Sequence, residues 1–162
     1  MMYLLDFDRT LFDTDAYNKS LIDEPGCAPF VELLQETLAH KRDETLTGGE
    51  TRARAWEKVS EAIHSGALTF APGYLTRFLY ADVAEMLRSL GNEAVIVTYG
   101  ELDRQKIKVE SALANIVRVT VVYTEHKHKA EYLSTWPGYY GAPAIFVDDR
   151  AVELEQMAER FP

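Results

Sequence analysis

Four short apolar runs, each separated from the next by helix-periodic sequence, constrain this chain more than any other feature. They are 2–7, Ala94–Thr98, Val117–Tyr123 and Ala144–Asp148. Runs of this length, rich in β-branched residues, suit buried strands and are too short for buried helices. Before the second run, residues 81–90 have helical spacing and stop near Gly91, a natural helix end. After it, Leu102, Ile107, Val109 and Leu113 recur at helical intervals, and 128–135 and 151–160 continue the alternation. Strands joined through helices pair in parallel by right-handed crossovers. The expected fold class is therefore α/β: a Rossmann-like parallel sheet sandwiched by helices.

One stretch breaks the alternation. From about residue 14 to 79 the pattern is helical with no convincing strand. Phe30, Val31, Leu33, Leu34 and Leu38 mark one helix over 28–40. Ala53, Trp56, Val59 and Ile63 mark a second over 50–64, after the break at Thr47-Gly48-Gly49. The expected organisation is a core of 1–14 and 80–162, with 15–79 inserted as a small α-helical unit.

Charge and composition narrow the function classes. The formal net charge is −9, which argues against nucleic acid as a partner because phosphate binding needs a basic surface. No stretch approaches the roughly 20 apolar residues of a membrane helix, and the start lacks a signal-peptide pattern. A single cysteine, Cys27, rules out an internal disulfide and a cysteine-built zinc site. A cytoplasmic protein without membrane attachment, monomeric or weakly self-associating, fits these features.

The chemistry lies at the strand ends. The first run closes on Asp6-Phe7-Asp8, the second on Thr98 and the fourth on Asp148-Asp149. In a parallel sheet these ends share one edge, where such folds place their sites. Carboxylates far apart in sequence would converge there, and a hard cation with oxygen ligands is their natural counter-charge.

With those residues in hand a resemblance follows. The run Leu4-Leu5-Asp6-Phe7-Asp8-Arg9-Thr10-Leu11-Phe12-Asp13-Thr14 resembles the first motif of the haloacid dehalogenase-like hydrolases. Val95-Ile96-Val97-Thr98-Tyr99-Gly100 is similar to their second motif, and Ile145-Phe146-Val147-Asp148-Asp149-Arg150 to their acidic fourth. Lys129, in His128-Lys129-Ala130-Glu131, fits the lysine of the third, with Lys127 as a rival. The spacings agree: 90 residues from Asp8 to Thr98, 50 from Thr98 to Asp148 and 19 from Lys129 to Asp148.

The resemblance implies a role for each position. Asp6 would be the nucleophile and form an aspartyl-phosphate, and Asp8 would be the general acid and base. Asp6, the backbone carbonyl of Asp8, and Asp148 would hold Mg²⁺, with Asp149 binding or orienting a metal-bound water. Thr98 and Lys129 would hold phosphoryl oxygens, assisted by backbone N–H groups near Phe7 and Tyr99. The insertion would act as a cap.

The expected function is a Mg²⁺-dependent phosphatase for a small phosphorylated metabolite or nucleotide. Asp8 favours phosphate esters over carbon–halogen bonds, which have no leaving oxygen to protonate. The alternatives are a catalytically silent binding or scaffold protein of the same fold, or a nucleic-acid end-processing phosphatase, which the −9 charge disfavours. After the fourth run and its helix the family commonly adds at least one more strand, so the sequence is either truncated or makes a minimal four-strand sheet, whose exposed edge would be a place for self-association.

Overall fold

The structure is a computed structural model that describes residues 1–39, 46–116, 118–125, 128–139 and 143–161, without the side chains of 46–48. Four strands form one sheet: β1 (Met2–Leu5), β2 (Ala94–Thr98), β3 (Thr120–Tyr123) and β4 (Ala144–Val147). Their spatial order is β3-β2-β1-β4, with every neighbouring pair parallel. Seven α-helices accompany them among the described residues: α1 (Thr14–Ser20), α2 (Val31–Ala39), α3 (Leu46–His64), α4 (Val83–Leu90), α5 (Leu102–Leu113), α6 (Lys129–Leu133) and α7 (Ala151–Arg160). The fold is α/β and Rossmann-like, as the alternating pattern predicts.

Burial follows position in the sheet. β2 is central and all five of its residues are buried, which is why its sequence is uniformly apolar up to Thr98. Leu4, Val95, Val97 and Val122 form one core with Ala130 and Leu133 of α6 and Met157 of α7. β4 is an outer strand and alternates: Ala144 and Phe146 pack on that core, while Ile145 and Val147 are 43% and 41% exposed. Register aligns the strand ends. Leu5 lies beside both Ile96 and Val147, so the residues that follow each strand emerge along one edge.

The third strand differs from expectation by starting at Thr120. Thr120 pairs with Val95, the second residue of β2. Continuing that register puts Val119 opposite Ala94 and Arg118 beyond the start of β2, so the pairing stops one residue short of that start, and an outer strand has no second neighbour to extend it. Val117 lies outside the described residues.

The chain divides into two compact units, Met1–Asp13 with Pro72–Pro162, and Thr14–Ala71. The stretch 72–79, which the pattern assigned to the insertion, packs within the sheet unit. Its 3₁₀ turn Tyr74–Phe78 lies on α5, with the Leu75 N–H bonded to Ser111 Oγ at 3.2 Å and Thr76 Oγ1 to the Ala112 carbonyl at 2.8 Å.

The second unit contains α1, α2, α3 and two 3₁₀ segments, Leu21–Asp23 and Pro25–Phe30. The expected single helix over 28–40 is in fact 3₁₀ as far as Phe30 and α-helical from Val31, with Pro29 inside the 3₁₀ part. Tyr17, Leu21, Cys27, Leu34, Ala55, Val59, Ala62 and Leu68 are buried here. Gly26 permits a close crossing, since a Cβ there would sit 2.2 Å from the Ala67 carbonyl oxygen.

Both cut points of the second unit are tied within the first. The Asp13 N–H bonds the Phe78 carbonyl at 2.7 Å, and the Tyr80 N–H bonds the Leu11 carbonyl at 3.1 Å. Replacing Thr14–Ala71 by a short Gly/Ser linker is therefore expected to leave a sheet unit that melts in one cooperative transition. Circular dichroism with thermal unfolding checks this, and a non-cooperative melt would refute it.

Candidate active site

Asp6 follows the last residue of β1 and stays in line with the sheet, its N–H bonded to the Val147 carbonyl at 2.9 Å. The backbone then turns sharply. The Leu11 and Phe12 N–H groups both donate to the Phe7 carbonyl at 3.0 Å, and the Arg9 N–H donates to Phe12 at 2.8 Å. Arg9 carries the turn at φ 61°, a left-handed conformation that costs a non-glycine residue about 1 kcal/mol or more. Phe7 is buried and stacks on Phe12, ring centroids 4.9 Å apart, anchoring the turn beneath the site.

The Asp6 side chain is 6% exposed. One oxygen accepts from the Lys129 ammonium and the other from Thr10 Oγ1 at 3.2 Å. Lys129 also donates to Asp148 Oδ2 at 2.5 Å. A single buried ammonium thus bridges carboxylates from the ends of β1 and β4. Burial pushes the Asp6 carboxyl up to about 6; Lys129 opposes the rise, and Asp148 and Asp8 add to it. Carboxylate oxygens of Asp6, Asp148 and Asp149 lie within 4.8 Å of one another. That oxygen-only, anionic donor set matches what a hard divalent cation prefers.

Thr98 ends β2 and is 1% exposed. Its hydroxyl has no hydrogen-bond partner among the described residues. Its carbonyl is engaged instead, by the Thr124 N–H at 2.9 Å. A buried hydroxyl left unsatisfied is costly, and an anionic oxygen at this edge would satisfy it. Tyr99 is 41% exposed and its ring lies parallel to that of His128, centroids 6.3 Å apart.

Asp8 is engaged from α5. Its carboxylate accepts from Lys108 Nζ at 2.5 and 2.8 Å and from Gln105 Nε2 at 2.9 Å, both residues of α5. Burial lowers the Lys108 ammonium from its ordinary value, and the Asp8 charge opposes the shift.

The structure thus brings Asp6, Lys129, Asp148 and Asp149 together, with Thr98 on the same edge. The rival Lys127 lies outside the described residues. Five further residues escaped the motif reading: Thr10, Gln105, Lys108, Thr124 and Glu153. Glu153 is fully buried on α7 and accepts from the Lys129 N–H at 3.2 Å and from His128 Nδ1 at 3.1 Å. It therefore fixes the first turn of the short helix that presents Lys129. Its spacing from Asp148-Asp149 gave no signal, because an acid in a first helical turn is common on surfaces.

No protein-family model matches the chain, and no curated protein matches it either.

Proposed function

We propose that this protein is a Mg²⁺-dependent phosphatase of the haloacid dehalogenase-like kind, acting on a small phosphorylated metabolite or nucleotide through an aspartyl-phosphate. The observation that carries the reading is one sheet edge where a buried, lysine-bonded Asp6 lies close to Asp148 and Asp149, and where β2 ends on Thr98, whose buried hydroxyl has no partner among the described residues.

An Asp6 oxygen attacks phosphorus, forming an O–P bond as the ester P–O bond breaks, and the leaving oxygen takes a proton from Asp8. Water then attacks phosphorus, Asp8 accepts its proton, and the Asp6 O–P bond breaks to release inorganic phosphate. Lys129 and Thr98 bind the phosphoryl oxygens, with the backbone N–H groups of Phe7 and Tyr99 as further donors. Mg²⁺, held by Asp6, the Asp8 carbonyl and Asp148 with Asp149 at its edge, would supply positive charge against the transferring group. Thr10 keeps the second Asp6 oxygen from rotating.

Phosphate release from a generic aryl ester should therefore require Mg²⁺ and vanish in excess chelator. Ca²⁺ should bind and inhibit, since it takes more ligands in looser geometry. Mg²⁺ should also raise the melting temperature, because it binds only the folded acid cluster. Undiminished turnover in chelator would refute the metal assignment. Absence of release from any ester, with intact folding and Mg²⁺ present, would favour the silent binding protein.

A further inference from the structure

The phosphatase chemistry above uses Asp8 but does not explain why two buried α5 side chains converge on it. Lys108 and Gln105 are each 6% exposed, although both are polar and one is charged. Lys108 places its ammonium on both Asp8 oxygens, at 2.5 and 2.8 Å. Gln105 adds its amide N–H to Oδ2 at 2.9 Å and bonds the Tyr99 carbonyl at 3.0 Å. The backbone has made room for that amide. Gly100 sits at φ 145°, and a Cβ there would lie 2.6 Å from Gln105 Nε2. α5 itself is pinned at its start, where Glu101 accepts from the N–H groups of Asp103 and Arg104 at 3.0 Å each. The Lys108 ammonium also lies 6.0 and 5.9 Å from the Phe7 and Phe12 ring centroids, so the turn bearing Asp8 and the helix bearing Lys108 are packed together.

We propose that Lys108 and Gln105 are positioning residues that hold Asp8 as an aimed carboxylate for the second half-reaction, hydrolysis of phospho-Asp6. The inference rests on the phosphatase reading. A carboxylate that accepts from an ammonium and an amide N–H is held in its anionic form, the form that takes a proton from attacking water. In that step the water oxygen bonds phosphorus, its proton passes to Asp8, and the Asp6–phosphate bond breaks. Without the clamp Asp8 rotates and loses its aim, so breakdown of phospho-Asp6 becomes the slow step. Its formation from an activated ester, whose leaving group needs little acid assistance, is spared.

The test is Lys108→Met and Gln105→Met assayed with p-nitrophenyl phosphate in Mg²⁺. For Lys108→Met, kcat should fall about 10–100-fold, part of the general-base contribution. kcat/KM, which reports events up to phosphoenzyme formation, should stay within about threefold, so KM should fall with kcat. A pre-steady-state burst of nitrophenolate near one per site should appear, and hydroxylamine should trap more phospho-Asp6 than in the wild type. Gln105→Met should show the same split to a smaller degree. A proportional loss of kcat and kcat/KM without a burst would mark the clamp as merely structural and overturn the inference, as would unchanged kinetics. If Lys108→Met fails to fold, Gln105→Met decides on the same readouts. A wild type that never releases phosphate or forms a phosphoenzyme would bring down the phosphatase reading itself, a result distinct from a wild type that turns over and variants that show no split.

Discussion

Asp6→Asn is expected to reduce phosphate release to background, a loss on the order of 10⁴-fold or more for a covalent nucleophile. The amide nearly matches the carboxylate in shape and can still accept from Lys129, so the fold should survive. It lacks the anionic oxygen that the proposed mechanism bonds to phosphorus. Lys129 keeps Asp148 as its counter-charge in this variant, so no charge of the group is left unpaired. Substrate binding should persist, since Thr98, Lys129 and the backbone donors remain. The variant would then bind an ester without consuming it, which calorimetry and a phosphate-release assay on one sample can show. Wild-type turnover in Asp6→Asn would end the covalent mechanism.

Lys129→Met should damage both stability and rate. Its side chain is 2% exposed and holds two carboxylates whose side chains are 6% and 0% exposed. Removing one member of a buried charge group typically costs about 3–5 kcal/mol, because the others are left unpaired. In a chain of this size that corresponds to a melting temperature lower by roughly 6–20 °C. Two remedies should be selective. Asp148→Asn in the same chain removes one repelling charge and should recover part of the loss. Mg²⁺ should raise the variant's melting temperature by more than the wild type's, since a cation then meets the whole acidic cluster. Turnover should fall by about 10²–10³-fold, as for loss of one fixed donor to a transferring group. A melting temperature within 2 °C of wild type, a margin of about 1 kcal/mol or less, would contradict the bridging role.

Part of this site was legible in the sequence because strand ends are legible. A β-branched run that stops at a polar residue marks both a strand and its edge, so Asp6, Thr98 and Asp148 could be placed on one side before any coordinates. Lys129 followed only from the resemblance, which places a lysine at the start of the helix before the fourth strand. α5 shows where such reading fails. Its apolar residues suggest a face through Leu102, Ile107, Val109 and Leu113, yet Gln105, Lys108 and Ser111 are buried while Leu102 and Ile107 are only partly so. The buried stripe is polar at every third residue, and a hydrophobic pattern cannot reveal a helix face turned inward to bond Asp8. α1 was not singled out within the helical stretch for a related reason: its seven residues bury only Tyr17, too little to generate a period of their own. Glu153 was missed because its partners, the Lys129 N–H and the His128 ring, lie 24 and 25 residues away, and nothing in the sequence links an acid to them.

The position of β1 has a consequence for how the protein is made. β1 lies between β2 and β4 and precedes both along the chain, and the acids at its end and at the end of β4 share Lys129. During synthesis the first strand therefore emerges long before either neighbour, and one of its long sides stays unpaired until Ala144–Val147 has left the ribosome. Pairings of such sequence separation form slowly, and an unsatisfied strand edge invites pairing with other chains in the interval. Chaperone dependence should accordingly concentrate on nascent chains stalled before residue 144, in which a hydrophobic strand has only one of its two partners.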